Sequence, residues 1–141
     1  MPPLDALPLA HLAVAVESLD AAGPLYRALG FELGAPEVVA AQKVRAILAR
    51  KGELRIELLE PHPAGEGPIA KFLAKRGPGL HHVALASADL EGDLGRLEQA
   101  GVTPLPGYPQ AGLGGARVAF LDPKSTGGVL YELVQGAQAH S

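Results

Sequence analysis

Two histidines and two glutamates occupy matching positions in the chain, and side chains of these types bind divalent metals. His11 and His82 each stand at the start of a short apolar segment, whereas Glu57 and Glu132 each lie between apolar neighbours. A buried carboxylate is costly unless it is paired or binds a cation. Two neutral imidazoles with two carboxylates carry a double negative charge, which suits a divalent first-row metal. The four residues therefore form a candidate metal site, provided that the fold brings them together.

Each of the four residues also has an ordinary structural interpretation. A histidine at a strand start commonly serves as a hydrogen-bonded structural residue, and a strand glutamate commonly lies on the solvated face of an antiparallel sheet. The matching positions strengthen the metal interpretation, because they place all four residues equivalently in two halves of the chain. Spacing by itself leaves both interpretations open.

The matching positions come from an internal repeat. The ten residues that begin at His11 resemble the ten that begin at His82, 71 positions later, and residues 52–59 resemble residues 127–134, 75 positions later. One loop insertion of four residues explains the difference between the two offsets. Self-similarity of this kind indicates two copies of one structural unit of roughly 60 residues.

The repeat predicts a single domain of α+β class, in which each module runs strand, helix and three strands. Ser18 suits the N-cap of the first helix, and Gly30 suits the position after its end. The domain spans residues 8–135, with module 1 at about 8–60, a linker at 61–79 and module 2 at about 80–135. The expected elements are strand 10–16, helix 19–29, strands 31–39, 42–49 and 54–59, linker helix 69–76, strand 80–87, helix 89–100, and strands 102–105, 116–121 and 129–134.

The composition excludes several functional classes. The 141 residues carry a formal net charge of −3, whereas a general nucleic-acid binder needs a basic face. Because there is no cysteine, any metal must be held by histidines and carboxylates. No apolar run approaches the ~20 residues that span a bilayer, and residues 1–5 lack the basic start of a secretory signal, which favours a cytoplasmic protein. Missing asparagine and cysteine with 13 prolines are typical of heat-adapted proteins.

Other titratable residues receive structural interpretations. His81 precedes His82 in a predicted strand, so its side chain is expected on the opposite face. Glu60 is expected in solvent, and His140 is expected in an unstructured tail. A basic stripe on the linker helix fits either a solvated helix face or an anionic ligand; its residues are Lys71, Lys75 and Arg76.

Several longer segments resemble one known superfamily. They are residues 56–61 (IELLEP), 67–77 (GPIAKFLAKRG), 79–84 (GLHHVA) and 122–133 (DPKSTGGVLYEL). Through these segments the chain resembles the vicinal oxygen chelate superfamily, which includes glyoxalase I, from residue 8 to residue 135. Within it the chain is most similar to the methylmalonyl-CoA epimerase family. The blocks PIAKFL and PKSTGGVL are far more specific than the four candidate ligands.

This resemblance implies a fold, a metal and a reaction. The implied fold joins two β-α-β-β-β modules into a curved, barrel-like mixed sheet around the metal. The family's ligands carry over to His11, Glu57, His82 and Glu132. Glu132 is the first choice for one catalytic base, and its repeat equivalent Glu57 is the candidate for the other face of the substrate. The implied reaction interconverts (2R)- and (2S)-methylmalonyl-CoA by α-proton abstraction through a metal-stabilised enolate. Co²⁺ is the first choice of cofactor, with Mn²⁺, Zn²⁺, Ni²⁺ or Mg²⁺ as alternatives.

The same resemblance implies contacts with an acyl-CoA substrate. Gln42 and Ser125 are the implied substrate contacts, and Lys124 is a candidate partner for the phosphates of coenzyme A. Arg117, Lys71 and Lys75 are further candidates for those phosphates. No nucleic acid or membrane partner is expected. A homodimer is expected, because the family is commonly dimeric and a short chain gains core by pairing.

Departures from the family pattern keep alternatives in view. Ala46 stands where one branch of the family has a second carboxylate proposed as a base, and Asp122, where histidine is common, is expected in a structural turn. One alternative is a glyoxalase I-type lyase/isomerase acting on a glutathione thiohemiacetal. Another is a non-catalytic ligand-binding module of the same fold, although such members typically lose the ligands. An extradiol dioxygenase is disfavoured, because it needs one carboxylate rather than two.

Overall fold

The computed structural model describes residues 6–136, and the interpretations of residues 1–5 and of His140 lie outside this range. By its internal contacts the described chain divides into two compact units. We call residues 11–81 the first unit, and residues 6–10 together with 82–136 the second unit. None of the helices within residues 6–136 is long and apolar enough to cross a lipid bilayer.

The first unit contains the first copy of the repeat and the linker helix. Strand β1 runs parallel to β5, β5 runs antiparallel to β4, and β4 also pairs antiparallel with the short strands β2 and β3. The elements are β1 (Leu9–Ala15), α1 (Leu19–Ala28), β2 (Glu32–Leu33), β3 (Glu37–Val39), β4 (Val44–Lys51), β5 (Leu54–Pro61) and α2 (Gly67–Arg76). The first residues of β1, Leu9 and Ala10, belong to the second unit.

The second unit repeats this pairing. Strand β6 runs parallel to β9, β9 runs antiparallel to β8, and β8 runs antiparallel to β7. The elements are β6 (Gly79–Ala86), α3 (Leu90–Gln99), β7 (Gln110–Ala111), β8 (Arg117–Phe120) and β9 (Tyr131–Gln135). The predicted order of strand, helix and three strands is confirmed in this unit.

Helix caps lie where the sequence indicates them. The Ser18 side chain accepts a hydrogen bond of 3.3 Å from the backbone N–H of Ala21 at the start of α1. Gly30, just past the end of α1, has a φ of +95°, a conformation that glycine adopts at little cost. In α3 the Asp89 side chain accepts from the backbone N–H of Gly92.

Two predicted strands differ from the structure. The segment predicted as one strand over 31–39 forms two short strands, because Gly34 and Pro36 interrupt it and proline has no N–H to donate. The segment predicted as a strand over 102–105 forms only an isolated bridge, between Pro104 and Leu121. The strand that follows α3 lies later, at β7.

The Glu60 side chain makes contacts within the first unit, contrary to the expectation that it lies in solvent. Its carboxylate accepts a 2.9 Å hydrogen bond from the backbone N–H of Leu19 and lies 3.4 Å from the Arg45 guanidinium. In the second unit the Gln135 side chain accepts the equivalent bond, of 2.8 Å, from the backbone N–H of Leu90. The first N–H groups of a helix lack partners within the helix. In each unit, therefore, the last strand anchors the start of the helix that follows the first strand.

Each of these helices covers one face of its own sheet. In the first unit α1 packs on an apolar cluster whose buried members are Val16, Leu19, Ile47 and Leu58. In the second unit α3 packs on a cluster whose buried members are Leu90, Ala119 and Leu133. Because side chains alternate along a strand, the intervening residues lie on the other face of each sheet. We call that second face the site face of each unit.

Candidate functional site

The first unit holds a buried pair formed by His11 and Glu57. Glu57 on β5 lies in register with Ala13 on the parallel strand β1. His11 is two residues before Ala13, so all three side chains share the site face. Nε2 of His11 lies 3.7 Å from a carboxylate oxygen of Glu57. The two residues are only 1% and 6% exposed.

The second unit holds the equivalent pair, His82 and Glu132. Glu132 on β9 lies in register with Ala84 on the parallel strand β6, and His82 is two residues before Ala84. Nε2 of His82 lies 3.1 Å from a carboxylate oxygen of Glu132. These residues are 4% and 3% exposed.

The two pairs repeat one geometry, which the sequence alignment of the two copies anticipated. In each unit a histidine precedes the alanine that lies in register with the glutamate. All four predicted ligands are buried, and each histidine lies beside the glutamate of its own unit. Imidazole nitrogen and carboxylate oxygen are suitable donors for divalent first-row metals. The solvated-face interpretation of the two glutamates is therefore wrong.

Comparison with known proteins assigns the chain to a family. Residues 10–120 match the family model described as the glyoxalase/bleomycin resistance protein/dioxygenase superfamily. The chain belongs to this superfamily. The expected α+β fold of the vicinal oxygen chelate type is thereby confirmed.

Named relatives within the superfamily are epimerases. The chain is 43% identical to an ethylmalonyl-CoA/methylmalonyl-CoA epimerase of Cereibacter sphaeroides, over 90% of this chain and 96% of that protein. It is similar to the crystal structure of methylmalonyl-CoA epimerase from Mycobacterium tuberculosis, with a TM-score of 0.88, 35% identity and coverage of 97% and 93%. It is also similar to a variant of the Streptomyces coelicolor methylmalonyl-CoA epimerase in complex with 2-nitronate-propionyl-CoA. That match has a TM-score of 0.86, 37% identity and coverage of 94% and 96%.

Two aromatic residues beside the His82–Glu132 pair were not predicted from the sequence. Phe120 on β8 lies directly opposite Glu132, and its ring packs edge-on against His82 with ring centroids 4.8 Å apart. Tyr108 packs edge-on against Phe120, with ring centroids 5.3 Å apart. The rings cover the second His–Glu pair with apolar surface. In the sequence Phe120 is only one apolar residue in a strand, and Tyr108 lies in a loop far from its strand partners.

Tyr108 provides a pH-dependent test of this arrangement. Burial, and secondarily the negative charge of Glu132, raise the pKa of Tyr108 above its ordinary value of 10.0. A raised pKa means that the folded state holds the proton more tightly than the unfolded state. The contribution of Tyr108 to the free energy of unfolding is therefore fully present below pH 10 and is lost as the pH rises through the pKa of the folded state. We expect the free energy of unfolding of Tyr108→Phe to fall less steeply with pH above 10 than that of wild type. The measurement is urea denaturation of the metal-free protein at a series of alkaline pH values. An unchanged slope of free energy against pH would contradict this expectation.

The predicted substrate residues lie in two short 3₁₀ turns. Gln42 ends the turn Ala40–Gln42, which Lys43 joins to β4 in the first unit, and is partly buried. Lys124 and Ser125 share the turn Pro123–Ser125 in the second unit. The Ser125 hydroxyl donates to the backbone carbonyl of Asp122 (2.7 Å) and so holds the turn, while Lys124 is exposed. The expected turn role of Asp122 is confirmed, because its carboxylate accepts from the backbone N–H of Lys124 at 3.0 Å.

Arg117 lies on β8 and pairs with Glu91 of α3, whereas the other candidates lie on or beside the linker helix. His81 packs edge-on against Phe72 of α2, with ring centroids 5.0 Å apart. Lys71 and Lys75 are exposed on α2, as expected for a solvated helix face. Within the first unit, the carboxylate of Glu66 lies 3.4 Å from Lys43, which follows the Gln42 turn. The start of α2 therefore lies beside the turn that carries Gln42.

Proposed function

We propose that this protein is a methylmalonyl-CoA epimerase, an isomerase that interconverts the (2R) and (2S) forms of its substrate. The observation that carries the proposal is the repeated buried geometry of His11 with Glu57 and of His82 with Glu132. Proteins that bear this name match about nine-tenths of the chain at 33–43% identity. Structures with a substrate or an acyl-CoA analogue bound support a coenzyme A thioester as the ligand.

We further propose that the four residues together hold one divalent metal. Glu57 and Glu132 are almost excluded from water, and ionised carboxylates in such surroundings need compensating positive charge. Two imidazoles and two carboxylates fit a divalent ion, with Co²⁺ as the first choice and Mn²⁺, Zn²⁺, Ni²⁺ or Mg²⁺ as alternatives. Such an ion, when bound, acts as a Lewis acid that stabilises negative charge on the thioester and carboxylate oxygens of the substrate.

The protein's own carboxylates move the proton in this scheme. The α-carbon of the substrate lies between a thioester and a carboxylate. Removal of its hydrogen as a proton leaves an enolate. A change of configuration needs removal of the proton on one side of this planar group and its return on the other. Glu132 is assigned to one of these transfers, and its repeat equivalent Glu57 is the candidate for the other. Gln42, Lys124 and Ser125 are proposed to bind the acyl-CoA, with Lys124 directed to a phosphate.

Further features of the protein are proposed on composition and exposure. A homodimer is supported by large apolar side chains that the described chain exposes: Leu9, Leu25, Leu29, Val38, Leu54, Leu80 and Val129. Heat stability is supported by the lack of asparagine and cysteine and by the 13 prolines. A cytoplasmic location remains a prediction from the sequence.

Proton exchange at the substrate tests the proposed function. The protein is stripped of metal, reloaded with Co²⁺ and mixed with single-stereoisomer methylmalonyl-CoA in D₂O. We expect deuterium to enter at the α-carbon while stereochemical purity is lost, and we expect both changes to depend on the metal. The readouts are mass spectrometry of the thioester and chromatographic separation of its stereoisomers.

The metal-free protein is the control for this experiment. Absence of exchange from fully loaded protein would contradict the epimerase proposal. The glutathione hemithioacetal of methylglyoxal is then the next substrate, and turnover of it would favour the glyoxalase I-type alternative.

A further inference from the structure

The reaction needs two proton-transfer groups, and the first unit contains a carboxylate better suited than Glu57 to be the second. Glu57 pairs with His11 and is a proposed metal ligand. A bound cation withdraws charge from its ligands, so that Glu57 and Glu132, if both ligate, are both weakened bases, and one ligand with one carboxylate outside the ligand set is a stronger pair. A separate carboxylate on the site face would leave Glu57 to hold the metal. Glu37 on β3 meets this requirement.

A one-residue shift in strand register puts Glu37 on the site face. Strands β2 and β3 both pair with β4, but Leu33 of β2 lies opposite Ala49 whereas Glu37 lies opposite Ala46. If the register of β2 continued into β3, Glu37 would lie opposite Arg45, on the face covered by α1. The extra residue between the two strands turns Glu37 over to the other face. Bulges of this kind commonly redirect side chains beside active sites.

The register of β4 and β5 connects Glu37 to the His–Glu pair of its own unit. Ala46 and Leu48 are two residues apart on β4 and therefore share a face. Leu48 lies directly opposite Glu57 on β5. Glu37, Ala46, Leu48 and Glu57 consequently all lie on the site face, while Ile47 packs into the cluster under α1.

The two carboxylates of the first unit differ in their access to solvent. Glu37 and Glu57 are on strands separated by β4, so their backbones lie about 10 Å apart across the sheet. On β4, Ala46 opposite Glu37 presents only a methyl group and is fully buried. Glu37 is exposed, whereas Glu57 is buried. A substrate can therefore reach Glu37 while Glu57 stays enclosed with His11.

We propose that Glu37 is the catalytic base for one stereoisomer of the substrate, in place of Glu57. This role rests on the proposed epimerase function. The ionised Glu37 carboxylate takes the α-hydrogen as a proton, and the electron pair of the C–H bond remains in the enolate. The protonated second group, Glu132, then gives its proton to the opposite side of the α-carbon. In the reverse direction Glu132 takes the proton and Glu37 returns one.

One-sided proton exchange tests this role. Glu37→Gln is compared with wild type and with Glu32→Gln, a matched control because Glu32 is an exposed glutamate on β2, before the register shift. Each metal-loaded protein is incubated in D₂O with each stereoisomer separately. For Glu37→Gln we expect epimerisation to fall at least about 100-fold, deuterium uptake to be lost from one stereoisomer only, and uptake from the other to stay within about threefold. Metal content and the Glu32→Gln rates stay at wild-type levels.

The outcomes separate this proposal from the proposed function. No exchange by wild type with either stereoisomer would overturn the epimerase function itself. Exchange by wild type, with uptake in Glu37→Gln either unchanged or reduced equally for both stereoisomers, would overturn only the role of Glu37. One-sided loss in Glu57→Gln instead of Glu37→Gln would return the role to Glu57.

Two further variants extend the test. Glu37→Asp keeps a carboxylate and should retain uptake from both stereoisomers at reduced rate. In the double variant Glu37→Gln/Ala46→Glu, the carboxylate moves one strand across on the same face, and recovery of two-sided exchange is expected. Recovery in neither variant, with folding verified by circular dichroism, would contradict a base at this place.

Discussion

Glu132→Gln is expected to lower the rate of epimerisation by about 10²–10⁴-fold, the usual contribution of a positioned acid or base. Glutamine keeps the size of the side chain and one oxygen atom that can bind a metal, but it cannot accept or return a proton. Glu132 is 3% exposed and lies beside His82, so a smaller side chain would open a cavity that glutamine avoids. The comparison of rates is made with both proteins loaded with Co²⁺.

The controls for this variant separate proton transfer from metal loss. Glu98→Gln replaces an exposed glutamate of α3 in the same unit and should leave the rate unchanged. The metal content of Glu132→Gln is measured by elemental analysis, and a rate that falls only in proportion to lost metal would assign Glu132 to ligation alone. Deuterium uptake should be retained for the stereoisomer whose proton Glu37 removes.

Much of this site was accessible from the sequence because it rests on a repeat and on local patterns. Short apolar runs mark β1 and β6, and one offset of 71 residues aligns His11 with His82. Cap residues such as Ser18 and Gly30 act on their own backbone and neighbours, so they mark helix ends without knowledge of the fold. The four predicted ligands are therefore placed in two equivalent pairs, as their spacing suggested.

The features that could not be predicted from the sequence depend on which residues pair across neighbouring strands. The face on which Glu37 lies is decided by one extra residue in its pairing with β4, and a shift of one residue exchanges the two faces of a strand. Phe120 belongs to the site only because β8 brings it opposite Glu132. The binding of Glu60 to the start of α1 likewise joins residues 41 positions apart. None of these contacts leaves a periodic signal in the chain.

The repeat makes a second prediction, on metal affinity. If the two pairs hold one ion, His11→Ala and His82→Ala should weaken Co²⁺ binding to similar extents. Each loss should exceed the roughly 10–100-fold that removal of a group beside a ligand typically costs. Isothermal titration calorimetry of the metal-free proteins should give one ion per chain for wild type.

His81→Ala is the matched control, because His81 adjoins His82 in β6 but packs against Phe72 instead of Glu132. Its affinity for Co²⁺ should remain at the wild-type level. Loss of binding in only one of the two ligand variants would mean that a single pair suffices for the ion. A stoichiometry of two ions per chain would mean that each His–Glu pair binds its own metal. Equal losses of Co²⁺ affinity with one ion per chain require that both units contribute ligands to the ion. Duplication of one strand pattern then explains how a chain without cysteine acquired a four-ligand site.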